Sequence, residues 1–396
     1  MATLWKIRTC AAKIIMTAKE LRIACVHQGY ELYGSDRCFS ESVAAIRAAY
    51  PAAQIEVVLP RHGPIVELLE GVATRIVFEP LWVLRRRHLA HLATIGLFRL
   101  PAAFARAFKR FRNQDLVYIN TSVIADHIIV ARFFPRRALL HVHEMPEGWT
   151  LKILSRLVRW SRAEIIFNSQ ATRTVFRLAK TIPSQVIYNG IRGPAAPEPM
   201  TYDGVRSLRL LMLGRISDAK GQDVLIDALT LFTRSQRQRI EVRIVGSAFE
   251  DPDRETALVA RIEKLGLADT ISVEPFQIDT APLYRWADVV AVPSRRVEAL
   301  GRVAIEAMAY GRPPIASDIG GLAEIVQHEF TGWLVPPSRA NALAETLLQA
   351  IEQPTGWREF GAAGHARYLA LFSEERAAAA IASVVRHKRE SLECGE

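Results

Sequence analysis

Along nearly the whole chain, short runs of β-branched and aliphatic residues alternate with stretches of helical pattern, and this alternation restricts the fold more than any other feature. In the first half the strand-like runs are LRIACV (21–26), IEVVL (55–59), DLVYIN (115–120), ALLHVH (138–143), EIIFNS (164–169) and QVIYN (185–189). Helix-patterned segments such as CFSESVAAIRAAY (38–50) separate them. Such alternation favours a parallel sheet, because a parallel pair needs a crossover long enough to hold a helix. The pattern stops at IRGPAAPEPMTYDG (191–204), whose Pro, Gly and Ala read as a linker. It restarts with SLRLLMLG (207–214), EVRIVG (241–246), ADVVAVPS (287–294) and PPIASD (313–318). A chain of 396 residues also exceeds what one core usually serves. The expected architecture is α/β, with two doubly wound, Rossmann-like domains facing each other across a cleft. The first spans 1–190, with 1–15 read as an upstream extension, and the second spans 205–372. A helix over 373–396 closes the chain and is read as packing back toward the first domain. In open α/β sheets ligands bind beyond the carboxyl ends of the strands.

The charge is unevenly placed. Residues 1–190 carry 27 Lys and Arg against 13 Asp and Glu, the remainder 24 against 28, so the whole net charge of +10 originates in the first part. Between Leu81 and Arg112, the cations Arg85, Arg86, Arg87, Arg99, Arg106, Lys109, Arg110 and Arg112 meet no acidic residue, and Trp82, Phe98, Phe104, Phe108 and Phe111 interleave them. This stretch fits an anionic membrane surface, and equally a solvated basic helix pair. Nucleic acid is not expected, since no recognition motif accompanies the charge. No apolar run approaches the roughly 18 residues of a membrane-spanning helix. Lys6, Arg8 and Lys13 interrupt the N-terminal stretch and make it a poor signal peptide. Cys10, Cys25, Cys38 and Cys394 have neither metal-ligand spacing nor a disulfide framework, which fits reduced thiols in a cytoplasmic protein.

Two constellations carry chemistry. In LGRISDAKGQDVLIDAL (213–229) an apolar strand ends at Gly214, and Arg215 and Lys220 flank a loop that opens a helix near Gly221. Unpaired N–H groups at a helix start, joined by a guanidinium and an ammonium, suit a diphosphate; a surface loop with two cations is the competing reading. In VEALGRVAIEAMAYG (297–311) a helix-patterned run stops at Gly311, with Glu298 before it and Glu306 within it. Eight helical steps of ~1.5 Å would part the two acids by roughly 12 Å along the axis, beyond the about 5–9.5 Å of a glycosidase pair. They are therefore read as gripping two parts of one ligand, against the alternative of an amphipathic helix with its glutamates in water. Glu298, with the backbone N–H groups of Ala299, Leu300, Gly301 and Arg302, suits sugar hydroxyls, and Glu306 suits a ribose. Asp251-Pro-Asp253 matches an Asp-x-Asp metal pattern but lies in the wrong context, and no metal site is expected. Tyr118 and Asn120, near the end of a strand, are candidates for touching an acceptor, and His141 is read as a core residue.

In this order, the motifs of the C-terminal half resemble family 4 of the retaining glycosyltransferases (glycosyl transferases group 1), whose fold is GT-B. They are VIYNGI (186–191), LGR…KG (213–221), the two glutamates with seven residues between them, PPIASDIGGLAEIV…TGWLVPP (313–337) and FSEERAA (372–378). The N-terminal half is similar through ELYGSDR (31–37) and HVHE (141–144). The resemblance implies that Arg215 and Lys220 neutralise the donor diphosphate, that Glu306 holds the ribose, and that Glu298 holds the donor sugar and counts among the catalytic residues. It matches Gly34 to a glycine whose backbone N–H approaches the phosphate, and His143 to the active-site histidine aimed at the donor sugar, where a structural strand-end histidine is the alternative. The family often has Gly-Phe-Gly after the first glutamate; Ala299-Leu300-Gly301 departs from it while keeping the last glycine.

The function implied is transfer of a hexose, with retention and without a metal or cofactor, from a UDP- or GDP-sugar to a hydroxyl of a lipid-linked or saccharide acceptor. The setting would be bacterial-type surface polysaccharide or glycolipid assembly, with the protein peripheral on the cytoplasmic face of a membrane through Arg85–Arg112. A nucleotide-sugar epimerase of the same fold is the alternative enzyme. A catalytically silent membrane-associated scaffold is disfavoured by the survival of both glutamates and both cations.

Overall fold

The structure, a computed structural model, describes residues 20–31, 34–84, 95–248 and 251–393. Residues 1–15, and Arg85, Arg86 and Arg87 of the basic stretch, lie outside the described residues. Among the described residues, thirteen strands form two sheets. The first contains β1 (Arg22–His27), β2 (Gln54–Leu59), β3 (Arg75–Phe78), β4 (Leu116–Asn120), β5 (Ala138–Val142), β6 (Glu164–Phe167) and β7 (Ser184–Val186), in the order β3-β2-β1-β4-β5-β6-β7. The second contains β8 (Leu208–Leu213), β9 (Ile240–Val245), β10 (Ile271–Glu274), β11 (Val289–Val292), β12 (Pro314–Ser317) and β13 (Trp333–Val335), in the order β10-β9-β8-β11-β12-β13. Pairing is parallel, as in Ile23 opposite Ile55 and Leu116, and Leu210 opposite Val242 and Val289. Two parallel, doubly wound sheets are what the alternating pattern dictates.

Every strand-like run in the sequence overlaps an observed strand, because central parallel strands are covered on both faces and read as unbroken apolar runs. All residues of β4, β5, β11 and β12 are buried. The second sheet shows the two-residue period directly: Leu208, Leu210 and Met212 join one core cluster and Leu211 the opposite one. The same holds for Val289 and Ala291 against Val290 and Val292.

Strand order reverses between β1 and β4 in the first sheet, and between β8 and β11 in the second. Each reversal leaves a crevice at the carboxyl ends of the strands, where a ligand reaches backbone from two directions. Residues 191–204 are irregular, apart from one bridge at Ile191.

By contact density the chain divides into two compact units. One is drawn from residues up to His141, from Arg156–Ile165 and from Ile381 onward; the other is Val142–Ser155 with Ile166–Ala380. The last helix, Glu374–Glu393, supplies residues to both. In the first unit its Lys388 meets Glu164 at 3.5 Å and the carbonyl of Pro135 at 3.2 Å.

The basic stretch is less uniform than its sequence. Helix Ile95–Asn113 carries its Arg110 inward, buried, where Nε meets Glu56 at 2.9 Å and Nη1 meets Glu79 at 2.8 Å and His127 Nε2 at 3.0 Å. Arg106 also turns toward Glu79, at 3.8 Å. These two cations are structural, because acids distant in sequence fold against them. Arg99, Lys109 and Arg112 are exposed. Among the described residues no helix is long and apolar enough to cross a membrane.

Candidate functional site

The crevice of the second sheet is built from two loops that start where β8 and β11 end. Gly214 leaves β8 with φ 146°. Gly246, at the end of β9, comes so close that a Cβ there would lie 2.0 Å from the Gly214 carbonyl oxygen. The loop then runs to helix Gln222–Thr230, whose N-cap Gly221 has φ 80° and would place a Cβ 2.0 Å from the carbonyl oxygen of Pro293. Only glycine lets that helix begin against the end of β11. Gln222, buried at the first helical position, donates from Nε2 to the Arg215 carbonyl at 3.0 Å. The Arg295 N–H donates to the Ala219 carbonyl at 2.9 Å and ties the two loops together.

That frame aims the charged groups. Lys220 Nζ lies 2.8 Å from Glu298 Oε1, and the Ser294 hydroxyl donates to the same oxygen. Arg215 is exposed at the turn of the loop. Glu298 sits in the loop before helix Arg302–Ala309, so the eight steps to Glu306 are only partly helical. The Gly320–Gly321 turn holds this loop from beneath. Gly321 N–H donates to the Glu298 carbonyl at 2.8 Å, and a Cβ on Gly320 would stand 2.5 Å from that same oxygen. The IGG motif is therefore a seat for the Glu298 loop. Gly301 (φ 93°) turns the chain into the helix, with Leu322 pressed close to its Cα.

Glu306 is oriented by Tyr284, whose hydroxyl donates to Oε2 at 2.7 Å, and by Arg302 at 3.6 Å. Burial first, and the Glu306 carboxylate next, push the Tyr284 hydroxyl well above its ordinary range, so it remains a donor. The side chains of Glu298 and Glu306 are only 17% and 21% exposed. This decides against glutamates pointing freely into water. Helix Arg302–Ala309 ends as expected, with Gly311 at φ 66°. Leu300 is buried in the core, which leaves its backbone, not its side chain, available to a ligand.

Residues 168–188 flank this loop within the same unit. Helix Gln170–Phe176 is capped by Ser169, which accepts from the Thr172 N–H, and Glu324 accepts from the N–H groups of Gln170, at 2.8 Å, and Ala171, and from the Tyr188 hydroxyl at 3.1 Å. Burial first, and then Glu324, push the Tyr188 phenol up to about 12. Thr172, buried, directs its hydroxyl to Asn168 Oδ1 at 2.9 Å, with the Ala299 carbonyl 3.5 Å away. His143 follows β5, half-buried, with its N–H 3.4 Å from its neighbour Glu144's carboxylate.

In the first unit, Gly34 opens helix Gly34–Ala49 and is exposed. Just behind it, Asp36 in the first turn is buried, with Oδ1 2.7 Å from His27 Nε2, and Asn120 Nδ2 is 2.9 Å from His27 Nδ1. A Cβ on Gly29 would stand 1.8 Å from the Asp36 oxygen, so glycine leaves the room for this pair. The structure corrects the acceptor role of Tyr118 and Asn120. Both are fully buried, and the Tyr118 hydroxyl lies 2.6 Å from His141 Nδ1 and 3.3 Å from Asn120 Oδ1. They join the core network at the β1–β4 reversal rather than its surface. His141 is a core residue, with burial pulling it down to about 3.

Asp251 is engaged by Arg254 at 3.1 Å, and Arg254 reaches Asp218 at 2.5 Å. Among the described residues no three His, Cys, Asp or Glu side chains come together as a metal-holding group. Sequence reasoning missed Gln222, Ser294, Tyr284 and Glu324. Only Gln222, one residue past the loop glycine, and Ser294, at the end of a strand, occupied positions that could have drawn notice.

Residues 205–367, which hold every group of the second-sheet crevice, match the family model described as Glycosyl transferases group 1. That region belongs to the glycosyl transferases group 1. The D-inositol 3-phosphate glycosyltransferase of Jonesia denitrificans is 37% identical to this chain over 185 residues, 46% of this chain and 43% of the relative. The protein of the same name from Gordonia bronchialis is 39% identical over 155 residues, 38% of this chain and 34% of its own. The chain thus spans less than half the length of these curated relatives. Among solved structures, Anabaena HepE in complex with UDP superposes with a TM-score of 0.76 at 24% identity, covering 93% of this chain and 100% of that one. Sucrose-phosphate synthase from Thermosynechococcus elongatus gives 0.69 at 22% identity, covering 95% and 100%. Such likeness establishes the fold, which is GT-B.

Proposed function

We propose that the protein is a retaining glycosyltransferase that moves a sugar from a nucleotide diphosphate donor to an acceptor hydroxyl. The observation that carries this reading is the Lys220–Glu298 pair at 2.8 Å, at the reversal of a parallel sheet, with Glu306 held on the helix that follows. Arg215 and Lys220 meet the two phosphates and offset the charge that grows on the leaving group as the glycosidic bond breaks. Glu306, steadied by Tyr284, accepts from the ribose hydroxyls. Glu298, with the backbone of Ala299, Leu300, Gly301 and Arg302, holds the donor sugar. His143 is assigned to the donor sugar. The acceptor attacks from the face the nucleotide leaves, and the departing phosphate takes its proton.

HepE binds UDP, UDP with glucose, and UDP-glucose, which supports a UDP-sugar as the first donor to test. Charge compensation by side chains supports a reaction without a metal or cofactor. The excess of cations in residues 1–190 supports an acceptor at an anionic surface, in surface polysaccharide or glycolipid assembly at the cytoplasmic face. Incubation with a panel of UDP- and GDP-sugars, with and without lipid extract, should release nucleotide with one donor and transfer its sugar. This activity should persist in EDTA. Free nucleotide-sugar with an altered sugar and no acceptor product would instead mark an epimerase. Loss in EDTA with recovery on Mg²⁺ would return Asp251 and Asp253 to the site.

A further inference from the structure

One face of the first unit joins exposed rings to cations, in a region the proposed reaction does not use. Helix Ile95–Asn113 and residues 130–133 enclose a groove of about 680 Å³ lined by Phe104, Phe108, Lys109, Arg112, Val130 and Phe133. Phe133 is 65% exposed and Phe108 42%. Phe108 stands edge-on against Phe134 at 5.1 Å, and Phe134 stacks on buried Phe111 at 5.5 Å, so the exposed ring rests on a fixed base. Beside Phe133, Arg132 lays its guanidinium 4.9 Å from the ring of Trp160, which is 47% exposed. Segments 95–113, 131–137 and 156–162 contain no acidic residue. Arg110 turns inward, and Arg137 donates to the carbonyls of Phe111, Arg112 and Gln114, while Lys109 and Arg112 stay at the surface.

Single exposed apolar side chains are ordinary; two exposed rings in one cation-edged groove, with a third held by the cation next to one of them, are not. They call for a partner that is apolar within and anionic at its rim. A bilayer interface has both layers, and amphipathic rings settle at its headgroup level. The cation excess also extends through residues 1–190, which fits attraction to an extended surface better than to a point. We propose that Phe108, Phe133 and Trp160, flanked by Lys109, Arg112 and Arg132, enter the headgroup region of an anionic lipid bilayer. The proposal deepens the reading of a transferase whose acceptor lies at a membrane, and rests on it for its biological purpose.

The test uses vesicles of phosphatidylcholine alone or with phosphatidylglycerol, with brominated acyl chains as quenchers. The full chain should partition onto the anionic vesicles at low salt at least about tenfold better than onto the neutral ones, with part of its tryptophan fluorescence quenched. Trp160→Phe should still bind but lose most of that quenching. Phe108→Ser with Phe133→Ser should lower partition at least about tenfold, with an unchanged urea midpoint as the control for folding. Equal partition onto neutral vesicles, no partition onto either, or quenching unchanged in Trp160→Phe would overturn the proposal. Nucleotide release without vesicles is measured in parallel. Its failure would sink the transferase reading and leave the vesicle result standing, and the reverse also holds.

Discussion

Lys220 reaches Glu298 because Gly221 starts a helix against Pro293 and the Gly320–Gly321 turn seats the opposite loop. Charge and spacing made the four ionised groups, Arg215, Lys220, Glu298 and Glu306, legible in the sequence. The neutral residues that aim them were not, since Ser294, Gln222 and Tyr284 acquire meaning only from loops brought together by the fold. Tyr118 and Asn120 failed for a related reason: a strand in sequence does not say how deeply its carboxyl end is covered. Lys220→Ala and Arg215→Ala are each expected to slow turnover by roughly 3–4 kcal/mol of transition-state stabilisation, with circular dichroism unchanged. Full single-turnover rates in both variants would remove the diphosphate from this crevice.

Helix Ile95–Asn113 is anchored by one buried cation shared between strand β2, through Glu56, and the segment after β3, through Glu79. Burial alone would raise the Glu56 carboxyl, but Arg110 and Arg75 outweigh it and hold the group below its ordinary range. Its contribution to stability is therefore present above the usual carboxylate range and is lost as pH falls through the lowered value. Removing the cation leaves Glu56 with Arg75 alone and Glu79 with only the longer Arg106 contact, so Arg110→Ala should destabilise by at least about 2 kcal/mol in urea unfolding, whereas Lys109→Ala should change it little. An Arg110→Ala midpoint equal to wild type would refute the anchor. Among the elements, the strands that sequence reasoning did not anticipate, β3, β10 and β13, all lie at sheet edges. Edge strands are covered less completely and are short, so they lack the unbroken apolar run that marked the central ones.

Across the whole molecule, the alternation of strands and helices made the two parallel sheets legible, while the borders of the compact units were not, because they depend on contacts far apart in sequence. The buried network at the β1–β4 reversal links global stability to pH. His141 stays neutral down to about 3 in the folded chain, whereas in the unfolded chain it takes up a proton near 6.5. Stability should fall as pH drops from about 6.5, at up to about 1.4 kcal/mol per unit. In His141→Phe the slope should be shallower and neutral-pH stability lower, because the Tyr118 hydroxyl loses its nearer partner. Identical slopes in urea melts of the two proteins would contradict this. The Glu324 contacts bear on modularity. The helix Gln170–Phe176 lies before the linker in the chain, yet two of its leading N–H groups depend on a carboxylate more than a hundred residues later. A gene cut at the linker would therefore not yield two self-sufficient halves: the upstream fragment would keep its Ser169 cap but carry two helix N–H groups without their acceptor, and the downstream one an acid without its donors.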